Sequence, residues 1–300
     1  MRILVIGAAI LDVLAVPVER EVFQSGSYPA DNIQMSPGGD ALNEAVVLAG
    51  LGAEVSLETV VGDDMAGELL RDYCEKRGVI IGREQFKSGL STGINVVLVQ
   101  KNGERSFLTN SRGSLRRLQI SDIHMPFPKE AKILCFASIF VFPKIKTEQL
   151  VSLFSKAKEQ GMIVCADMTK RKNGETLADI APALAYVDYL FPNAEEAALV
   201  TGETEIRQSA QAFLEAGVKH VVIKCGSDGC YIKSNTEEAL VPAEKGVNCV
   251  DTTGAGDSFV AGFLLALSRG KELRECAKYA NWCGARAVEK VGATTWIDGI

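Results

Sequence analysis

A three-layer α/β/α arrangement, with a mainly parallel central sheet and a small projecting β-sheet, is the fold this 300-residue sequence predicts. Short β-rich runs alternate with helix-period runs along most of the chain, which argues a parallel sheet covered on both faces. Hydrophobic residues make up 47% of the sequence, enough for a sizeable core. Two extended segments interrupt the alternation, and these predict the second sheet.

In order along the chain, Ile3 to Ile6 reads as the first buried strand. A helix follows from Asp40 to Leu51, then a strand from Glu54 to Val60 and a helix from Met65 to Arg77. The second half repeats this with strands at Ile133 to Phe136, Ile163 to Ala166, Tyr186 to Phe191 and Val221 to Lys224. Its helices lie near Thr147 to Gln160, after Asn193, and from Glu205 to Ala216. Residues 247 to 250 read as a strand end, and Phe259, Val260, Phe263, Leu264 and Leu267 recur at helical spacing until Gly270. The interruptions are 13 to 37, extended and marked by Pro17, Gly26, Pro29 and Pro37, and 90 to 112, which alternates around Lys101-Asn102-Gly103-Glu104. Asn-Gly there is a strong hairpin signal. The core is therefore assigned to 1–12, 38–89 and 113–300, and the projecting sheet to 13–37 and 90–112. Such a sheet suits a lid that shuts water out of a site beneath it.

A net charge of −6 with no basic stripe argues against nucleic acid and anionic membrane surfaces as partners. The apolar start resembles a signal peptide only as far as Asp12, which breaks it, and no apolar run reaches the ~18 residues of a membrane helix. Eight scattered cysteines lack Cys-x-x-Cys spacing and read as small core residues in a reducing cytoplasm. His124 and His220 sit in no triad context.

The chemistry concentrates in Asp251-Thr252-Thr253-Gly254-Ala255-Gly256-Asp257-Ser258-Phe259, a glycine-bearing turn running into a helix. First-turn N–H groups have no intrahelical partners, and with the dipole they favour a phosphate. Asp257 would face the same point and could take a proton from an alcohol. Taken alone, it is equally a helix cap. A second pair, Gly38 and Gly39, precedes Asn43 one helical turn on. Either their amides and the Asn43 side chain meet a polyhydroxylated ligand, or the turn simply opens a core helix.

Together the two motifs resemble the ribokinase-like (PfkB) family of carbohydrate and nucleoside kinases over nearly the whole chain. Gly38-Gly39-x-x-x-Asn43 matches the N-terminal signature, and Asp251 to Phe259 matches the C-terminal one almost letter for letter. The resemblance implies that Asp257 is the base, that the amides of Gly254, Ala255 and Gly256 form the anion hole, and that Asp12, Gly38, Gly39 and Asn43 hold the sugar. It implies ATP with Mg²⁺, organised by Asn193 and, through water, Glu196. Nucleotide contacts carry over to Lys224, Gly226, Gly229, Thr253 and Asn281. A monovalent cation such as K⁺ would sit against Asp251, Thr253, Ala287, Lys290 and Gly292. The expected protein is a cytoplasmic ATP-dependent carbohydrate kinase acting on a hydroxyl, primary by preference, and homodimeric through the lid.

Two departures bear on the substrate. Ribokinases usually carry a glutamate after the strand corresponding to Ile133 to Phe136, whereas Ala137-Ser138-Ile139-Phe140-Val141-Phe142 offers no acid. The Asp-Pro-Asn-x-Arg segment of fructokinases and 2-keto-3-deoxygluconate kinases becomes Asp167-Met168-Thr169-Lys170-Arg171, in which Lys170 or Arg171 either holds an anionic substrate group or is solvated. The rival readings are a nucleoside kinase and a catalytically silent sugar-binding regulator. A dinucleotide-binding dehydrogenase is excluded, since Gly7-Ala8-Ala9-Ile10-Leu11-Asp12 lacks Gly-x-Gly-x-x-Gly.

Overall fold

The computed structural model describes residues 1–102 and 104–300. Its first half runs β1 (Arg2–Gly7), β2 (Ile10–Val16), β3 (Asn32–Gly38), α1 (Asp40–Gly50), β4 (Val55–Glu58), β5 (Val61–Gly62), α2 (Met65–Arg77), β6 (Ile80–Ile81), β7 (Phe86–Lys87), β8 (Ile94–Val99) and β9 (Arg105–Thr109). The second half runs β10 (Ala131–Ile139), α3 (Thr147–Glu159), β11 (Ile163–Met168), α4 (Leu177–Leu184), β12 (Tyr189–Phe191), α5 (Ala194–Thr201), α6 (Ile206–Glu215), β13 (His220–Lys224), β14 (Cys230–Ser234), β15 (Glu238–Val241), α7 (Ala255–Ser268) and α8 (Leu273–Val288).

The period-2 geometry of a strand sends alternate side chains to opposite faces, and β1 shows what that builds. Ile3 and Val5 pack with α1, α2, α7 and α8, while Leu4 and Ile6 pack with α3, α4, α5 and α6. Two hydrophobic cores therefore lie on either side of one nine-stranded sheet, ordered β15-β14-β13-β12-β11-β10-β1-β4-β6. The strands from β13 through β6 in that order are parallel, and β14 and β15 add antiparallel at one edge. This is the three-layer fold expected.

A separate four-stranded sheet, ordered β3-β2-β8-β9, is built from the two interrupting segments. It begins at Ile10, so Asp12 is a residue of this sheet and not of the end of β1. β8 and β9 form the expected antiparallel pair. Of the turn read at Asn102-Gly103, Gly103 lies outside the described residues. A further short parallel pair joins β5 and β7.

One expected element is corrected. Residues 247–250 form no strand: the sheet ends at β15, and Asn248, Cys249 and Val250 are exposed, with no strand left beside them to supply ladder partners. Among the described residues, no helix is long and apolar enough to cross a membrane. All eight cysteines are free thiols, six of them buried.

Candidate active site

Parallel strands deliver their C-terminal ends to one edge of the sheet, and in open α/β sheets that edge is where ligands bind. Here the ends of β10, β11, β12 and β13 bring Ser138, Asp167, Asn193 and Lys224 to a cavity of about 340 Å³. Asp40, at the start of α1, and Gly256 and Asp257, at the start of α7, close its other side. A larger cavity of about 570 Å³ adjoins it, lined by Gly229, Thr252, Ala255, Phe259 and Asn281 among others. Lys224, Gly226 and Gly256 line both. The two spaces meet where the glycine turn ends.

The turn has its shape for a local reason. Gly254 caps α7 at φ +72°, a left-handed conformation that costs a residue with a Cβ, and a Cβ there would run into Ala293. Asp257 follows in the first turn, half-buried. Its Oδ2 accepts a hydrogen bond of 2.7 Å from Asn43 Nδ2, joining the two sequence motifs across 214 residues. Burial pushes its carboxyl up to about 8, the charges of Asp40 and Asp167 push the same way, and the Asn43 bond and Lys224 pull against them. The group is thus tuned toward the range useful to a base at neutral pH.

Asp167 binds Lys224 with both oxygens, at 2.7 and 2.8 Å. Burial favours the neutral amine, but the carboxylates of Asp167 and Glu196 outweigh it and hold the ammonium charged. Asn193 caps α5 by accepting from Glu196 N at 2.8 Å, and Glu196 Oε2 accepts from Asn193 N at the same distance. That is a capping box. Glu196 nevertheless lines the smaller cavity, where burial raises its carboxyl to about 7. Among the described residues no cluster of three or more His, Cys, Asp or Glu side chains could hold a metal by itself. One carboxylate is nonetheless enough for Mg²⁺ where phosphates and water supply its other ligands.

The remaining expected residues fall into three places. Gly229 and Asn281 line the larger cavity, and the Asn281 amide donates to the carbonyls of Val241 and Pro242 at 3.0 and 3.1 Å, pinning the cavity wall. Asp12, Gly38 and Gly39 line neither cavity, although Gly39 directly precedes the lining residue Asp40. Asp12 Oδ1 accepts from Asn95 Nδ2 at 3.1 Å, and Gly39, at φ +100°, turns the chain from β3 into α1. Asp251 forms the outer tie of the glycine turn, with Oδ1 accepting from Thr253 N at 3.0 Å and Oδ2 from Gly292 N at 3.0 Å. Ala287 and Lys290 flank the C-terminal end of α8.

Several residues gathered here carry no distinctive sequence signal. Asp40 accepts from Ser138 Oγ at 2.6 Å, and as an acid opening a helix it reads as dipole compensation alone. Asp167, near the end of β11, keeps the first aspartate of an altered family segment, and nothing in the sequence assigned it a role. Glu44 is wholly buried in α1, its Oε2 accepting from Cys135 Sγ at 3.3 Å and its Oε1 without a partner. Neither basic residue of the Asp167–Arg171 segment is free: Lys170 pairs with Glu195 at 2.6 Å, and Arg171 donates to the carbonyl of Glu175 at 2.9 Å.

Comparison with known proteins agrees with this geometry. The model of the pfkB family of carbohydrate kinases matches residues 1–298. The ribokinase of Schizosaccharomyces pombe is 28% identical over 290 residues, covering 90% of this chain and 86% of that protein. The aminoimidazole riboside kinase of Salmonella typhimurium is 30% identical over 269 residues, covering 86% and 84%. The structure of Arabidopsis thaliana ribokinase complexed with ribose and ATP superposes with a TM-score of 0.81 at 25% identity, over 98% of this chain and 94% of that one. With a family match along almost its full length and the fold of a solved ribokinase over nearly the whole chain, the chain belongs to the pfkB family and is an ATP-dependent carbohydrate kinase.

Proposed function

We propose that this kinase phosphorylates a hydroxyl, by preference a primary one, of a small neutral sugar or sugar-like alcohol. The observation that carries this reading is the single point where Asp257 and the first-turn amides of α7 meet two cavities that share Gly256. Asp257 Oδ1 or Oδ2 takes the hydroxyl proton as the oxygen attacks phosphorus, while the Gly254–Asp257 amides face the charge that develops on the phosphoryl oxygens. ATP would lie in the larger cavity and give up its terminal phosphoryl group, ADP leaving as that phosphoanhydride bond breaks, and Mg²⁺ would neutralise the phosphoryl oxygens. Lys224 and Gly226 border the path between the cavities, and Glu196 with Asn193 orders the metal's water shell. Asn43 orients the base, and Asp12 and Asn95 offer hydrogen-bond partners to sugar hydroxyls.

Neutral substrates follow from charge. Asp40, Asp167, Glu196 and Asp257 line the acceptor cavity, the one ammonium there is committed to Asp167, Lys170 is paired with Glu195, and Arg171 is held by the carbonyl of Glu175 and does not line the cavity. A sugar acid or sugar phosphate would meet like charge. The carbonyls at the C-terminal end of α8, with Asp251 across from them, suit a monovalent cation, which would add positive potential near the turn. The four-stranded sheet serves as the lid. It also offers a route to a homodimer: its register lines up Met35, Val13, Val96 and Leu108 in one row, and Ile33, Met35 and Leu108 are exposed. Such a row suits a second copy of the same sheet.

The test is ADP release from ATP in the presence of a panel of neutral pentoses, hexoses and nucleosides beside sugar acids and sugar phosphates. Sugar-stimulated release confined to neutral compounds is expected. Sugar binding without any release would overturn the reading.

A further inference from the structure

Lys224 Nζ sits where the two cavities meet. A Cβ built on Gly256, in the first turn of α7, would come within 3.7 Å of it, so the ammonium lies against the backbone of the glycine turn. Asp167 holds it there. The carboxylate accepts from the ammonium with both oxygens, at 2.7 and 2.8 Å, and among the described residues it is the only acceptor that the ammonium has. Asp167 lines the smaller cavity alone, whereas Lys224 lines both. The ion pair therefore stands with its positive end toward the larger cavity and its negative end away from it. An ammonium carries three hydrogens, so one N–H is left over at that positive end.

The pair does more than balance charge. Asp167 is buried and fixed in its own right, its Oδ1 accepting from Met168 N at 2.8 Å near the end of β11. The lysine, at the end of β13, has a flexible stem, and most of the rotamers open to an untied lysine would carry the ammonium away from Gly256. A donor already in place binds an anion better than one that must first be ordered. Burial would also favour the neutral amine, and the carboxylates of Asp167 and Glu196 keep the charge on it. Against this, the Asp167 carboxylate repels any phosphate brought to the turn. The ammonium is the nearer charge to the larger cavity, so its attraction, acting over the shorter distance, outweighs that repulsion.

We propose that Asp167 is a positioning residue for the nucleotide: it pins the Lys224 ammonium over Gly256, so that the remaining N–H meets the terminal phosphates of the donor. The inference rests on the use of the Gly254–Asp257 turn as the phosphate cradle, with Lys224 as its cation. Asp167 acts through Lys224 and makes no phosphate contact of its own. An acid buried in the wall of the acceptor cavity thus serves the donor.

Calorimetric titration of the intact protein with Mg²⁺ and either a non-hydrolysable ATP analogue or AMP reads this without the sugar. K224M is expected to lower the triphosphate-to-AMP affinity ratio about tenfold or more, the worth of a charged hydrogen bond. D167N should lower it about fivefold or more, since the lysine regains rotamers that carry the charge away. D167E, which restores the carboxylate, should recover part of that loss. In the K224M background D167N should change the ratio by less than about twofold, because its effect runs through the lysine. K224Q and D167S take the places of K224M and D167N where either fails to fold. A ratio that D167N leaves unmoved or raises would overturn the proposal, as would fully additive losses in the double variant or equal weakening of both nucleotides, the mark of a structural tie. If K224M leaves the ratio unchanged, the cation of the cradle is misassigned, and the reading beneath the proposal fails with it.

Discussion

Replacing Asp257 with Asn separates what the carboxylate does for catalysis from what it does to stability. The amide keeps the shape and the contact with Asn43 but cannot take a proton, so kcat should fall by about 10²–10⁴, the range of a general base. Nucleotide affinity should stay within about threefold, because the phosphate cradle is main chain. Stability should move the other way. A carboxyl raised to about 8 by burial, Asp40 and Asp167 binds a proton more readily in the folded than in the unfolded chain. The unfolded state therefore holds fewer protons between the ordinary carboxylate range and about 8, and stability falls as pH rises through that window. The full displacement corresponds to a ceiling of ~6 kcal/mol. Relaxation of a half-buried site reduces this to ~1–2 kcal/mol, the common size of a single-residue effect. Asp257→Asn should thus melt about 2–4 °C above the unaltered protein at pH 9 and level with it at pH 4. Coupled measurement of ADP release and thermal scans across pH reads both halves. Near-normal turnover would falsify the role of base, and a melting difference independent of pH would remove the electrostatic account of the site.

Asn43→Ala deletes the hydrogen bond that pulls the Asp257 carboxyl down, so the rising limb of kcat/KM against pH should move to higher pH by about half a unit or more; an unmoved limb would mean that Asn43 acts only by packing. Lys224→Met leaves the buried Asp167 carboxylate without its counter-charge and should cost ~3–5 kcal/mol in denaturant unfolding, while Lys224→Met with Asp167→Asn should regain most of it. A purely additive double variant would show the pair to be uncoupled. Met35→Glu places a charge in the exposed apolar row of the second sheet and should convert a dimer to a monomer in light scattering, with activity per chain reduced less than about threefold; a mass that does not change would rule out that face.

Where sequence and structure agree, the reason is periodicity or a backbone requirement. Met65–Arg77 is a helix because Asp64 caps its start, accepting from Gly67 N, and Gly78 takes the left-handed conformation at its end; both are visible as residue types at fixed positions. The same holds for the two glycine motifs, whose apposition through Asn43 and Asp257 was implied by the family resemblance and not by spacing. Agreement fails where partners are remote. The helix Leu177–Leu184 is short and carries Pro182, so its pattern does not stand out, yet Ile180, Ala183 and Leu184 bury it against the sheet. Val247 to Val250 has strand composition but no neighbouring strand, and composition cannot report a missing partner. Asp40, Ser138 and Asp167 are separated by up to 127 residues and meet only because parallel strands and helix starts converge on one edge.

Helix α7 has two lives in one element. Its first turn holds the cradle and Asp257, while nine of its residues, Ser258 through Ala266, are buried between α1, α8 and the sheet. Ser258, next to Asp257, also accepts from the indole Nε1 of Trp296 at 3.0 Å, anchoring the last part of the chain. On the function proposed, catalytic competence therefore depends on a helix packed into the core and not on a detachable loop. On heating or in denaturant, inactivation and loss of the core should trace a single curve, so that catalytic assays double as a sensor of global folding.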